Sequence, residues 1–112
     1  MEGRRMVADT GIFIEYLRAK NKRNTTLYQL TDDIVLYISS VTVYELYMGA
    51  TTDEKREDIK KLTGNLVVLP LSEAIAIKAS DIYHKLRKSN KMIEFRDIFI
   101  AATCIVNELP VK

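Results

Sequence analysis

The chain has 112 residues, a formal net charge of +2, 47% apolar residues and 29% charged residues. That is the length of one domain with a single real core, and the composition of a globular chain rather than a disordered one. The weak positive charge does not by itself imply a nucleic-acid partner, and no apolar run approaches the roughly 20 residues that a membrane helix needs.

Residues 5–9 predict a first strand, and 11–19 a helix with an apolar stripe at Ile12, Phe13, Tyr16 and Leu17. The polar, basic stretch Ala19–Asn24 reads as a loop, with Asn24 able to cap a short helix carrying Leu27 and Leu30. Ile34-Val35-Leu36-Tyr37-Ile38 is a continuous apolar run rich in β-branched residues, which predicts a strand buried on both faces, as in a parallel sheet. Ser39-Ser40 then offers an N-cap to a helix over 41–49 that ends at Gly49. Residues 53–62 begin with acids and end with Lys60 and Lys61, an order that suits the helix dipole in a solvated helix. Val67-Val68-Leu69 is a short third strand stopped by Pro70, and Ser72 caps a helix to about Lys88 with a stripe of Ile75, Ala79, Ile82 and Leu86. Residues 96–107 are apolar almost all round and predict the central buried helix, after which Leu109–Lys112 looks like the entry to a fourth strand. Strands alternating with helices give an α/β fold: a small parallel sheet of about four strands, with helices on both sides.

Three acids do not fit a simple solvated face. Asp9 follows the first strand, Glu45 lies inside the apolar helix Val43–Met48, and Asp97 opens the most apolar helix. Each falls at or just after a strand-to-helix passage, and in parallel α/β sheets ligand sites form outside the carboxyl ends of the strands. Carboxylates brought together there repel one another, and a divalent cation is the usual compensation. All-oxygen ligation suits Mg²⁺ or Mn²⁺, whose chemistry is metal-assisted phosphodiester hydrolysis. The single histidine, His84, excludes from one chain both a two-imidazole nuclease and a His-rich zinc site.

Three stretches then carry a family resemblance: Val7-Ala8-Asp9-Thr10-Gly11-Ile12-Phe13-Ile14, the run from Ile38 through Glu45 to Ala50, and the run from Phe95 through Asp97 to Thr103. They resemble the three blocks of PIN-domain proteins, in order and across nearly the whole chain, and are most similar to the VapC toxins of type II toxin–antitoxin systems. The resemblance implies a PIN-like three-layer fold and a metal-dependent endoribonuclease with Asp9, Glu45 and Asp97 as its acidic, metal-holding cluster. It also implies a homodimer and a VapB-type antitoxin as partner. Thr10 matches the family's hydroxyl residue after the first aspartate, expected to orient that carboxylate or a water. In the family the fourth strand runs on into a Thr-x-Asn/Asp segment that often supplies a fourth acid or amide. The 112 residues stop short of it, so either the chain continues or the single domain 1–112 has a site of three acids. The alternative reading is a catalytically inactive PIN-like protein that binds RNA or an antitoxin.

Plainer roles stand beside these. Asp9-Thr10-Gly11 is also the aspartic-protease signature, but that fold is all-β with a glycine-rich flap, and this chain has 4 glycines and a helical pattern after Gly11. Asp9 could cap the next helix, Glu45 could sit on an exposed face, and Asp97 could be a dipole charge or the partner of Arg96. Glu94 lies close to the cluster and could join it, although a solvated loop acid is the plainer reading, and Thr42 could back-bond in its helix or approach the site. Cys104, the one cysteine, excludes an intrachain disulfide, reads as a small buried hydrophobe and fits a reducing cytoplasm; no signal peptide is read at the N-terminus. Tyr44, Tyr47 and Met48 could form an exposed partner surface, although core packing is the default. The bases Lys20, Lys22, Arg23, Lys85, Arg87, Lys88 and Lys91 are solvated unless they line the cleft, where they could hold RNA phosphates.

Overall fold

Three short parallel strands frame the molecule: β1 (Arg4–Val7), β2 (Ile34–Ser39) and β3 (Val67–Leu69), in the spatial order β1–β2–β3. A computed structural model describes residues 4–30 and 32–112. Between the strands run the helices α1 (Thr10–Arg18), α2 (Thr26–Gln29), α3 (Ser40–Met48) and α4 (Asp53–Thr63), and after β3 come α5 (Glu73–Lys88) and α6 (Phe95–Val106). The fourth strand foreseen at Leu109–Lys112 is a single parallel bridge, Val7 to Val111, outside β1. Its backbone bonds run from Val7 N to Pro110 O at 2.8 Å, from Lys112 N to Val7 O at 2.9 Å and from Asp9 N to Lys112 O at 2.9 Å. The last of these holds the peptide of Asp9 at the carboxyl end of the sheet.

Alternation along β2 divides the core, because successive side chains of a strand face opposite ways. Leu36 and Ile38 pack with Ala8, Phe13, Leu46 and Ile59, under α1, α3 and α4. On the other face Tyr37 joins Val7, Leu69, Ile100 and Cys104, under α6. Behind α6, α5 packs Ile75 and Ala79 against Ile98 and Ala102, so the stripe foreseen on α5 meets a helix rather than the sheet. Ile82 and Leu86 extend that contact.

Two expectations of complete burial are corrected. Val35 is exposed, because β3 pairs with β2 only from Tyr37 onward and, among the described residues, no strand continues that side along the first half of β2. Helix α6 is not buried all round: Ile98, Ile100, Ala102, Thr103 and Cys104 are buried, but Phe95 at its start and Ile105 and Val106 at its end are exposed. The sheet covers one side of α6 and α5 another, and the helix ends project past both. The core default for Tyr44 and Met48 also fails, since both are exposed while Tyr47 packs on the core.

Helix starts follow the side-chain chemistry of the sequence. Ser39, Thr52 and Ser72 accept hydrogen bonds from the backbone N–H of Thr42, Lys55 and Ile75. The cap of α2 is Thr25 rather than Asn24, which lies in a 3-10 turn over Lys22–Asn24. At the far end of α1, Lys22 Nζ donates to the carbonyls of Tyr16 at 2.6 Å and Leu17 at 3.0 Å, satisfying groups the helix leaves unpaired. No helix among the described residues is long and apolar enough to cross a membrane.

Ile38 is fully buried at the centre of this arrangement. Ile38→Ala is expected to lower unfolding free energy by about 2–5 kcal/mol and Ile38→Val by about 0.5–1.5 kcal/mol, read from urea unfolding.

Candidate active site

Each expected acid emerges at the same end of the sheet. Asp9 is the residue before α1 and takes the N-cap position, with extended backbone at φ −69° and ψ 153°, but its carboxylate makes no capping hydrogen bond. The simple capping role is therefore not what Asp9 does. Gly11 follows in the first turn, beside the Asp9 carboxylate: a Cβ added there would lie in ordinary contact with Asp9 Oδ2, at 3.7 Å. Glu45 lies in the middle of α3 with a side chain only 9% exposed, so it is not on a solvated face. Asp97 is in the first turn of α6 and exposed, where its charge suits the helix dipole. Asp9, Glu45 and Asp97 line one open cleft of about 320 Å³ together with Thr10, Gly11, Ile14, Met48 and Arg96. Among the described residues no three His, Cys, Asp or Glu side chains stand close enough together to hold an ion. The cleft gathers the acids without closing them into a cage.

A line of hydroxyls supports Glu45 from below. Thr10 Oγ1 donates to Glu45 Oε1 at 2.8 Å and lies 2.9 Å from Thr42 Oγ1. Ser39 Oγ donates to Thr42 Oγ1 at 3.2 Å and accepts from the Thr42 N–H at 3.1 Å. A hydroxyl has one hydrogen to give. Thr10 spends its hydrogen on the carboxylate, so Thr42 must donate to Thr10, and the line has one sense from Ser39 to Glu45. Thr10 thus orients Glu45, rather than the Asp9 carboxylate that the family resemblance implied as one of its two partners, the other being a water. Thr42 is fully buried and reaches the site through Thr10.

The second Glu45 oxygen is held by a cation. Arg96 Nε lies 3.1 Å from Glu45 Oε2, and its Nη2 lies 3.0 Å from Glu94 Oε2. Arg96 therefore pairs with Glu45 and Glu94 rather than with its neighbour Asp97. Glu94 is tied to the site through Arg96, but its side chain is 67% exposed and does not line the cleft, and, like Asp9, it sits at an N-cap position without capping. None of the basic residues Lys20, Lys22, Arg23, Lys85, Arg87, Lys88 and Lys91 lines the cleft among the described residues. Sequence reasoning named Arg96 only as a partner for Asp97; the acid-base-acid order Glu94, Arg96, Asp97 was the available signal.

Comparison with known proteins covers nearly the whole chain. The sequence pattern of the PIN domain matches residues 6–111. The chain belongs to the PIN-domain family. Ribonuclease VapC10 of Mycobacterium tuberculosis is 34% identical over 104 residues, covering 93% of this chain and 77% of that protein. Among solved structures, VapBC2 from Rickettsia felis, bound to a DNA fragment from its promoter, aligns with a TM-score of 0.82 at 17% identity, covering 96% of this chain and 84% of the other. VapBC-5 from Mycobacterium tuberculosis, a member of the VapBC family of toxin–antitoxin systems, aligns with a TM-score of 0.68 at 22% identity, covering 96% and 82%. At these identities the structures speak for the fold, a parallel sheet flanked by helices.

The donor set of this PIN-domain cleft fits a hard divalent cation. All its acidic groups are carboxylates, and no imidazole or thiolate lines it. Mg²⁺ keeps several waters and takes one or two carboxylates directly, so acids spread around a cleft suit it better than a closed cage does. Cys104, buried on α6, is close enough to respond to the site: burial raises its thiol pKa above the ordinary value, and the Asp9 charge raises it further.

Two outcomes are expected. Thr10→Val takes the donor from a nearly buried carboxylate oxygen and should cost about 1–3 kcal/mol in metal-free urea unfolding, while Thr10→Ser keeps most of it. Cys104, buried and held as the neutral thiol, should resist iodoacetamide at neutral pH in the native protein and react once urea unfolds the chain, as mass spectrometry would read.

Proposed function

We propose that this PIN-domain chain is a metal-dependent endoribonuclease, the toxin of a type II toxin–antitoxin pair. The observation that carries the reading is the cleft that Asp9, Glu45 and Asp97 line together from three separated parts of the sequence. The likeness to a protein named a ribonuclease supports RNA as substrate, and the likeness to the VapBC family of toxin–antitoxin systems supports a VapB-type antitoxin as partner. The exposed apolar side chains Phe95, Ile105 and Val106 on α6, and Tyr44 and Met48 on α3, are surface that a second copy or an antitoxin would cover. A cytoplasmic setting suits a ribonuclease with one buried, unpaired cysteine.

Asp9, Glu45 and Asp97 would hold Mg²⁺ or Mn²⁺, with waters completing the coordination. Such an ion, when bound, lowers the pKa of a bound water and neutralises charge that builds on the phosphate. The rest falls to the protein. Thr10 fixes the rotamer of Glu45 and keeps it an acceptor, backed by Thr42 and Ser39. The Asp9 peptide is pinned by Lys112 O, and its carboxylate is left uncommitted by capping. Ile14 and Met48 give the cleft an apolar wall against which a nucleotide can pack. The chemistry needs no nucleophilic side chain.

A second reading has its own observation. Both Glu45 oxygens already have donors in Thr10 and Arg96, which suits a PIN-like protein that binds RNA or an antitoxin without cleaving. Antitoxin-free protein incubated with structured RNA separates the two. The nuclease reading expects cleavage with Mg²⁺ or Mn²⁺ that EDTA abolishes. It also expects losses of at least about 100-fold, or roughly 2.7 kcal/mol of transition-state stabilisation, in Asp9→Asn and Glu45→Gln. Cleavage that survives EDTA, or that the variants retain, contradicts it; RNA binding without cleavage by wild type supports the binding reading.

A further inference from the structure

Among the described residues, Arg96 is the basic side chain that lines the cleft, where the other charged groups are the carboxylates of Asp9, Glu45 and Asp97. Its guanidinium sets Nε 3.1 Å from Glu45 Oε2 and Nη2 3.0 Å from Glu94 Oε2. The two acids differ sharply in surroundings. The Glu45 side chain is 9% exposed, whereas that of Glu94 is 67% exposed and can be hydrated without help. The nearly buried one therefore depends more on the guanidinium, since a charged group taken out of water is costly without a partner. Thr10 supplies one donor, to Oε1, and Arg96 supplies the charge, at Oε2. Arg96 itself is half exposed, so it can leave without being stranded in an apolar place.

We propose that Arg96 is a built-in counter-ion for the cleft: it holds Glu45 in its binding rotamer while no divalent cation is bound, and it competes with that cation for Glu45 Oε2. The inference rests on the metal reading of the proposed function and concerns a positioning residue. Two positive charges cannot share one carboxylate oxygen at contact distance without repulsion, so the cation and the guanidinium exchange places. Glu94 is the seat that keeps Arg96 at the cleft when Glu45 is taken, because its link to the same guanidinium uses a different nitrogen. The arrangement sets a threshold: the site stays folded and charge-balanced without metal, and loads only where the cation is abundant enough to displace Arg96. A plain structural ion pair makes the opposite demand, because loss of the arginine would then loosen Glu45 and weaken cation binding.

The test is titration of the full chain with Mn²⁺ by calorimetry, for wild type, Arg96→Gln and Arg96→Lys, with thermal melting of each form with and without Mn²⁺. Competition expects Arg96→Gln to bind Mn²⁺ about two- to fivefold more tightly, the scale of one partly exposed charge pair, and Arg96→Lys to return towards wild type. It also expects Arg96→Gln to melt below wild type without metal and the gap to close at saturating Mn²⁺. Equal or weaker Mn²⁺ binding by Arg96→Gln overturns the proposal and leaves the metal site standing. Failure of wild type and both variants to bind Mn²⁺ overturns the metal site and the proposal with it.

Discussion

The hydrogen bond from Thr10 to Glu45 joins the two helices that leave neighbouring strands. Thr10 opens α1 after β1, and Glu45 stands on α3 after β2. Parallel pairing of β1 with β2 brings those strand ends side by side, and the hydroxyl line from Ser39 through Thr42 fills the space between them. Every other part of the site is placed relative to this joint. Asp9 precedes it by one residue, and α6, packed on the far face of the sheet through Ile100 and Cys104, carries Asp97 and Arg96 round to the same end. A parallel sheet covered on both faces thus leaves one edge at which carboxylates from distant parts of the chain meet.

Charge at that edge is managed in layers. Glu45, its side chain only 9% exposed, receives a hydroxyl on one oxygen and a guanidinium on the other. Asp97 gains from the start of α6, and Glu94 shares Arg96. Asp9 has no side-chain cap to make, and Gly11 lies beside its Oδ2. The carboxylates are thereby tolerated without being consumed by one another. Such a store of negative charge in an open cleft attracts a cation and repels RNA until the cation is present.

Much of this was legible in the sequence, for identifiable reasons. Strands β2 and β3 announced themselves as short apolar runs, and Ser39 and Ser72 marked helix starts, because these signals are local. Asp9, Glu45 and Asp97 stood out because an acid inside an apolar pattern conflicts with its surroundings. What stayed hidden depends on contacts between distant elements. Thr10 was expected to serve its neighbour or a water and instead reaches across to α3. Arg96 passes over Asp97, next to it in the chain, for Glu45. The exposure of Val35 and Phe95 was equally out of reach, and that of Tyr44 and Met48 stood only as the lesser alternative, since an apolar residue does not state whether the fold or a partner covers it. Thr25 displaced Asn24 as a cap by one position, which is within the ordinary uncertainty of a helix end.

The central claim is that this cleft is a cation site. Anomalous scattering from crystals of the full chain soaked in Mn²⁺ tests it most directly. The expected result is a peak in the cleft within about 2.0–2.3 Å of at least one oxygen among Asp9, Glu45 and Asp97, at the range typical of small hard cations. A fully soaked crystal with Mn²⁺ bound elsewhere and no peak in the cleft would contradict it.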